Sequence, residues 1–412
     1  MSMLADLLST VFERRYTAHI PDWNGAPLGQ MCDALVSAQG EVSGRHLAEQ
    51  ILAQFAALDD AGKLAFFGHL AGAMGIDAAA VRESLAAYEA DPGKASYRAF
   101  ARAAEPLRQE LIRRLNHVPG ATAALVGMRA DLLRLGRGAP ELEALDLDFR
   151  HLFASWFNRG FLVLRPINWQ SPAHLLEKII AYEAVHEIES WRDLRRRVEP
   201  QDRRCFAFFH PAMPDEPLIF VEVALTVGIP GAIRPLLAEG RAPLDRAAAD
   251  TAVFYSISNC QAGLASISFG NSLIKQVAAD LSAELPGLKQ FVTLSPIPGL
   301  IRWLRAEGIE AAPTGPLAAH YLLNAKRAAG DPVDPVARFH LGNGARIHAL
   351  HEEADMSEKG RAQSGGVMVN YLYDLRKLAQ AHEAFASNYE IAASSEVRSM
   401  AGAGQKSLAQ GG

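Results

Sequence analysis

Two polar side chains stand where extended patterns end. Ser295 follows the apolar run Phe291–Leu294 and precedes Pro296; His340 lies in Arg338-Phe-His-Leu-Gly-Asn-Gly344. A residue before proline is pushed out of the helical region, so Ser295 is presented at a strand end. Serine at such a place also serves turns, and a histidine at a strand end also serves structure. An imidazole titrates at about pH 6.5 when unperturbed and exists in either form near neutrality. If the topology brings His340 to Ser295, the pair can move a proton. The Gly-x-Ser-x-Gly elbow of a hydrolase nucleophile is absent. His348 and His351 with Glu352 and Glu353 lack the HExxH spacing and a third ligand, so no metal is expected. Cys260 has no adjacent cation to activate it.

A second chemical feature is the segment Phe254–Lys275, reading FYSISNCQAGLASISFGNSLIK. It begins as a strand, passes a loop with Gly263 and Gly270, and enters an amphipathic helix near Asn271. Backbone N–H groups at a helix start point at one spot and suit a phosphate or pyrophosphate. The glycines have neither the GxGxxG nor the Gly-Lys-Ser/Thr pattern of nucleotide folds. Lys275, one turn into that helix, can reach an anion or lie solvated. A phosphate-binding turn between two strands, one ending in a hydroxyl, suits a long phosphorylated carrier molecule.

The elements that must position these groups fall into two textures. Up to about residue 155 the apolar residues recur with helical period, alanine is abundant and no alternating β-branched run occurs. Ser43, Asp59, Asp60 and Asp77 read as helix starts, and an antiparallel helical bundle is expected for residues 1–157. From Phe161 onward strands and helices mix. Strands are expected at Phe161–Leu164, Arg204–Phe209, Pro217–Leu225, Val253–Ser258, Gln290–Leu294 and Val336–His340, with a helix over Asn271–Leu285. The pattern implies an α/β layer on one central sheet, residues 158–394. The polar run Ala354–Gly366 reads as an active-site loop, and residues 395–412, poor in apolar side chains, as a disordered tail.

At 412 residues the chain exceeds one ordinary core. Its 49% hydrophobic and 21% charged residues are those of a globular protein. A formal charge of −5 speaks against a nucleic-acid surface. The cluster Arg192, Arg195, Arg196 and Arg197, interleaved with Glu187, Glu189 and Asp193, reads as a solvated helix face. Three cysteines without a CxxC pair suit a reducing compartment. No apolar stretch is expected to span a bilayer, and no targeting segment is read, so the expectation is a cytoplasmic protein without a membrane partner.

Taken together the segments resemble the malonyl-CoA decarboxylase family. The resemblance rests on Phe254-Tyr-Ser-Ile-Ser, Gln261-Ala-Gly-Leu, Gly270-Asn-Ser-Leu-Ile-Lys, Leu294-Ser-Pro-Ile-Pro-Gly299, Phe339-His-Leu-Gly-Asn-Gly-Ala345 and Met368-Val-Asn-Tyr371. Trp169-x-Ser-Pro172 and Glu183-Ala-Val-His186 add to it. It implies an N-terminal helical domain joined to a catalytic domain with the GNAT acetyltransferase fold, in which two neighbouring strands splay and a pantetheine arm enters the gap. It implies conversion of malonyl-CoA to acetyl-CoA and CO2, with Ser295 and His340 catalytic and Ser256, Asn370 and Tyr371 supporting. Malonyl-CoA contacts fall on Ala265, Ser266, Ile267, Ser268, Phe269, Gly270 and Asn271. Where animal relatives carry glutamate this chain has Ser268, so His340 must be held by some other group. No cofactor is expected, since the thioester is itself the electron sink, and a homo-oligomer through the helical domain is expected. An acyl-CoA-dependent acyltransferase and a non-catalytic acyl-CoA sensor are the rival readings.

Overall fold

The computed structural model describes Trp23 and residues 25–37, 41–267, 273–310 and 312–410. The chain divides into two compact units. One holds the described residues up to Phe157 together with those from Gln261 to Ile267; the other holds the remainder.

Eight helices are described in the first unit: α1 Leu28–Val36, α2 Glu41–Ala56, α3 Asp60–Ala73, α4 Ala78–Ala90, α5 Lys94–Ala103, α6 Leu107–Leu115, α7 Ala121–Leu135 and α8 Glu143–Trp156. Aspartates open two of them. Asp59 accepts from the Gly62 N–H at 2.8 Å, and Asp77 from the Ala79 and Ala80 N–H groups at 2.9 and 3.2 Å. Ser43, expected as a cap, lies inside α2 instead. Leu111, Ile112, Leu125, Phe149, Phe153 and Phe157 are fully buried in this unit's core, each stabilising it by about 1.5–3 kcal/mol. The run Asp60–Ala90 has a mean hydropathy of 1.5 in its most apolar window, long and apolar enough to cross a membrane by length and composition, contrary to expectation. The Asp77 cap divides it into helices of 14 and 13 residues. Each is shorter than the roughly 20 residues a bilayer requires.

The second unit is built on one eight-stranded mixed sheet, β1 Val163–Ile167, β2 Arg203–His210, β3 Met213–Thr226, β4 Thr251–Asn259, β5 Gln290–Thr293, β6 Ser295–Pro296, β7 Arg346–His351 and β8 Met368–Leu372. The order is β1-β2-β3-β4-β5-β8-β6, with β7 also paired to β8. Its helices are α9 Ala173–Tyr182, α10 Trp191–Val198, α11 Arg234–Leu237, α12 Leu273–Glu284, α13 Leu300–Ala306, α14 Gly315–Asn324, α15 Pro335–Gly342, α16 Glu358–Ser364, α17 Leu378–Asn388 and α18 Ser395–Gln410.

Three expectations change here. Val336–His340 is helix, not strand: Asp334 accepts from the Val336 and Ala337 N–H groups at 2.9 Å each, and Pro335 occupies the first turn. An Asp-Pro helix start outweighed the β-branched and aromatic residues. The run Ala354–Gly366 is not an open loop, because Ser357 caps α16 within it. The tail 395–412 is ordered as α18 up to Gln410. Val397 is fully buried, and an added methyl at Gly404 would stand 2.2 Å from the Pro316 carbonyl oxygen. Small residues let α18 lie close on α14, so few large apolar side chains are needed.

What matters for the site is where β4 and β5 part. They pair in parallel from Thr251↔Gln290 to Phe254↔Thr293, and the Leu294 N–H closes the pairing on the Phe254 carbonyl at 3.0 Å. Beyond that, β4 continues against β3 alone. β5 and β6 instead follow β8 in one register, Val292↔Leu372 and Ser295↔Val369. A bulge opposite Glu222/Val223 places Tyr255 as an extra residue in β4 and turns the strand away. The splayed parallel pair implied by the acetyltransferase resemblance is therefore present.

Candidate active site

Ser295 and His340 meet just beyond this parting. Ser295 Oγ lies 3.2 Å from His340 Nε2, and His340 Nδ1 lies 2.7 Å from the Tyr373 hydroxyl. Ser295 donates to Thr293 Oγ1 at 2.8 Å, and Thr293 Oγ1 accepts the Tyr371 N–H at 3.1 Å. A hydroxyl has one proton. With Ser295's proton on Thr293, His340 must donate from Nε2 and accept from Tyr373 at Nδ1. The Tyr371 ring stacks on the imidazole, centroids 4.5 Å apart at 24°. The four side chains are all buried: Ser295, His340, Tyr371 and Tyr373.

Burial alone pushes the His340 pKa down to about 3, so the imidazole is neutral at pH 7. The expectation that it takes either form near neutrality does not hold in this environment. Burial raises both tyrosines well above their usual pKa, which keeps them as O–H donors. The Tyr371 hydroxyl is buried and has no hydrogen-bond partner among the described residues. Such a group is rare and costs free energy unless something else satisfies it.

Sequence reasoning missed Thr293 and Tyr373. Tyr373 was visible in principle, since Tyr371 and Tyr373 stand two apart and residues two apart on a strand share a face. The Tyr373 hydroxyl is the group that meets His340 at Nδ1.

The supporting positions separate. Asn370 donates to the Thr293 carbonyl at 2.8 Å and accepts from His351 Nε2 at 2.5 Å, tying β8 to its neighbours beside the pair. His348 and His351 lie on a strand, and among the described residues no three metal-binding side chains cluster. Ser256, two residues past the last paired position of β4, bonds both Glu183 oxygens at 2.8 and 2.7 Å rather than Ser295 or His340. Arg197 is not solvated as expected. It is buried and donates to the carbonyls of His186 and Glu187 and to Asp193 and Glu222.

Of the carrier segment, Ala265, Ser266 and Ile267 are described; Ser268, Phe269, Gly270 and Asn271 lie outside the described residues. Within the first unit, buried Arg129 on α7 donates to the carbonyls of Gly263 and Ala265 at 2.7 and 2.9 Å and pairs with Asp146 at 2.8 Å. Gly263 is required there: a Cβ would sit 1.8 Å from the Val126 carbonyl oxygen. Ser266 adopts a left-handed φ of 63°. In the second unit, Lys275 stands in the first turn of α12, where burial and the nearby Arg159 charge lower its ammonium pKa. Two cations near enough to repel one another, with no ion pair to either among the described residues, suit an anion.

Comparison with known proteins places these features in context. The model of the malonyl-CoA decarboxylase C-terminal domain matches residues 160–315 and 309–410, and that of the N-terminal domain matches residues 74–157. The mitochondrial malonyl-CoA decarboxylase of Anser anser anser is 34% identical over 351 residues, 71% of this chain and 69% of that protein. The Mus musculus protein of the same name is 33% identical over 352 residues, 72% and 71% of the two chains. The crystal structure of malonyl-CoA decarboxylase from Rhodopseudomonas palustris is similar at 50% identity and a TM-score of 0.87, over 90% of this chain and 98% of that one. That from Agrobacterium vitis gives 48% and 0.85, over 90% and 99%.

Proposed function

The chain belongs to the malonyl-CoA decarboxylase family of carboxy-lyases, and from that premise we propose that it converts malonyl-CoA to acetyl-CoA and CO2 at the Ser295–His340 pair. The observation that carries the assignment of the site is the chain of bonds Tyr373–His340–Ser295 where β4 and β5 part.

Loss of CO2 leaves an electron pair on the α-carbon, delocalised onto the thioester oxygen as an enolate. Catalysis requires that this oxyanion be bound better than the neutral thioester. The Tyr371 O–H, kept protonated by burial and without a partner among the described residues, supplies a donor. The enolate carbon then takes a proton. His340 is the proton-carrying side chain and Ser295 its partner. Ser295 turns its proton from Thr293 to the carbon as it takes the one on His340 Nε2, and Nδ1 takes the Tyr373 proton. A neutral imidazole has no spare proton. One must therefore enter at Tyr373 from outside, in keeping with the single proton that malonyl-CoA + H⁺ → acetyl-CoA + CO2 consumes. The buried, apolar surroundings favour loss of a carboxylate stripped of water.

Segment Ala265–Asn271 contacts the carrier, and Lys275 with Arg159 meets its phosphates. No metal or organic cofactor takes part, because the thioester accepts the electrons. The helical unit carries self-association: it exposes Leu64, Ile76, Leu85, Tyr97, Leu107 and Leu147. Three free, buried cysteines accord with a cytoplasmic setting, and neither nucleic acid nor membrane is a partner.

The test is purified protein with malonyl-CoA alone. Acetyl-CoA and CO2 in equal amounts support the reading. Turnover only with an added amine would make the protein an acyltransferase; binding without turnover would make it a sensor.

A further inference from the structure

The strand gap has a second polar wall. Ser256 on β4 stands two residues past Phe254, as Ser295 stands two past Thr293 on the strand that departs. Ser256 Oγ lies 2.8 and 2.7 Å from the two oxygens of Glu183. A carboxylate has no proton to give, so the single Ser256 proton points at Glu183 and the hydroxyl keeps only lone pairs for anything else. Glu183 itself is held still. Its Oε1 accepts the Val185 and His186 N–H groups at 2.8 and 2.7 Å. Ser258 completes the cluster, 3.4 Å from Glu183 and 3.3 Å from Ser256, and accepts the Ala184 N–H at 3.2 Å. Across the ladder, Ser256 is paired in register with fully buried Glu222, whose Oε1 has no partner among the described residues.

An enolate oxygen needs a donor, and a serine backed by a carboxylate is a poor one. The same serine is well suited to accept. The substrate's thiol-bearing arm has amide N–H groups, the first a few bonds from the sulfur. We infer that Glu183 is a positioning residue that fixes Ser256 as a hydrogen-bond acceptor for an amide N–H of that arm, so that this wall recognises the carrier and takes no part in stabilising the enolate. The inference rests on the reading that malonyl-CoA lies in the strand gap.

A comparison of two substrates tests it: malonyl-CoA, and the malonyl thioester of ethanethiol, which has no amide. Ser256→Ala removes the acceptor. Glu183→Gln keeps the shape, but its NH2 can donate to Ser256 and occupy the lone pairs. Both variants are expected to raise KM for malonyl-CoA about tenfold, the worth of one hydrogen bond, with kcat held. The preference for malonyl-CoA over the amide-free thioester should shrink by the same factor. A fall in kcat at unchanged KM, persisting with the ethanethiol ester, would overturn the inference and make Ser256 an enolate donor. Unchanged preference would also overturn it, leaving Glu183 a structural residue. Melting temperatures identify a misfolded Glu183→Gln protein, in which case Ser256→Ala alone decides. Failure of the wild-type protein to decarboxylate malonyl-CoA would strike at the functional reading instead.

Discussion

His340 illustrates how far a side chain's chemistry departs from its type. Its spacing in the sequence exposed it as a candidate; its neutrality at pH 7 comes from burial that no local motif encodes. If the Tyr373–His340–Ser295 chain moves one proton, Ser295→Ala and His340→Asn should each lower kcat about 10²-fold or more with little change in CoA affinity. The double variant should be scarcely worse than the less active single one, because residues acting as a unit are not additive. Steady-state kinetics with calorimetry on the three variants check this. Burial also has a stability consequence. With a folded pKa of about 3 and an unfolded value of about 6.5, the unfolded chain binds the extra proton below pH 6.5. Stability should therefore fall by about 1.4 kcal/mol per pH unit between 6.5 and 3 on this account alone. His340→Asn should flatten that slope in denaturant titrations. Glu222 works in the other direction. Burial and the neighbouring Glu183 charge raise its pKa to about 8, so the folded state gives up stability as pH rises from about 4.5 to 8. Glu222→Gln should melt higher than the wild type at pH 8, and the gain should shrink towards pH 5.

At the level of elements, the strands that carry a full apolar face were legible: β2, β3 and β4 lie within a few residues of where their patterns place them. Elements decided by capping or by close approach were not. The α15 start depends on one aspartate and one proline, and α18 is held by glycine packing against Pro316 rather than by bulk. The candidate site was legible to the same degree. Ser295 and His340 carry recognisable neighbours, whereas Tyr373 and Glu183 gain meaning only when the register brings them to their partners. The parting of β4 from β5, which makes the gap, needs a bulge that one extra residue creates. At the α7–loop contact, Gly263→Ala should force the loop from its place, destabilise the protein by about 1–3 kcal/mol and raise KM for malonyl-CoA. A variant with wild-type melting and kinetics would show that the loop relaxes freely.

For the whole molecule, the exposed apolar residues of the helical unit predict a homo-oligomer, to be checked by sedimentation at micromolar concentration; a monomer there would dismiss it. The division into units holds a further consequence. The segment from Gln261 to Ile267, far along the chain, counts with the helices, clasped by Arg129 on one side and by the closeness of Gly263 to Val126 on the other. A cut after Phe157 therefore does not yield two self-sufficient modules. Recombination that grafts the sheet-bearing half onto an unrelated leader would carry the Ser295–His340 pair yet strand the Gly263 and Ala265 carbonyls without the Arg129 guanidinium. The helices and the segment from Gln261 to Ile267 form one block that such a cut divides.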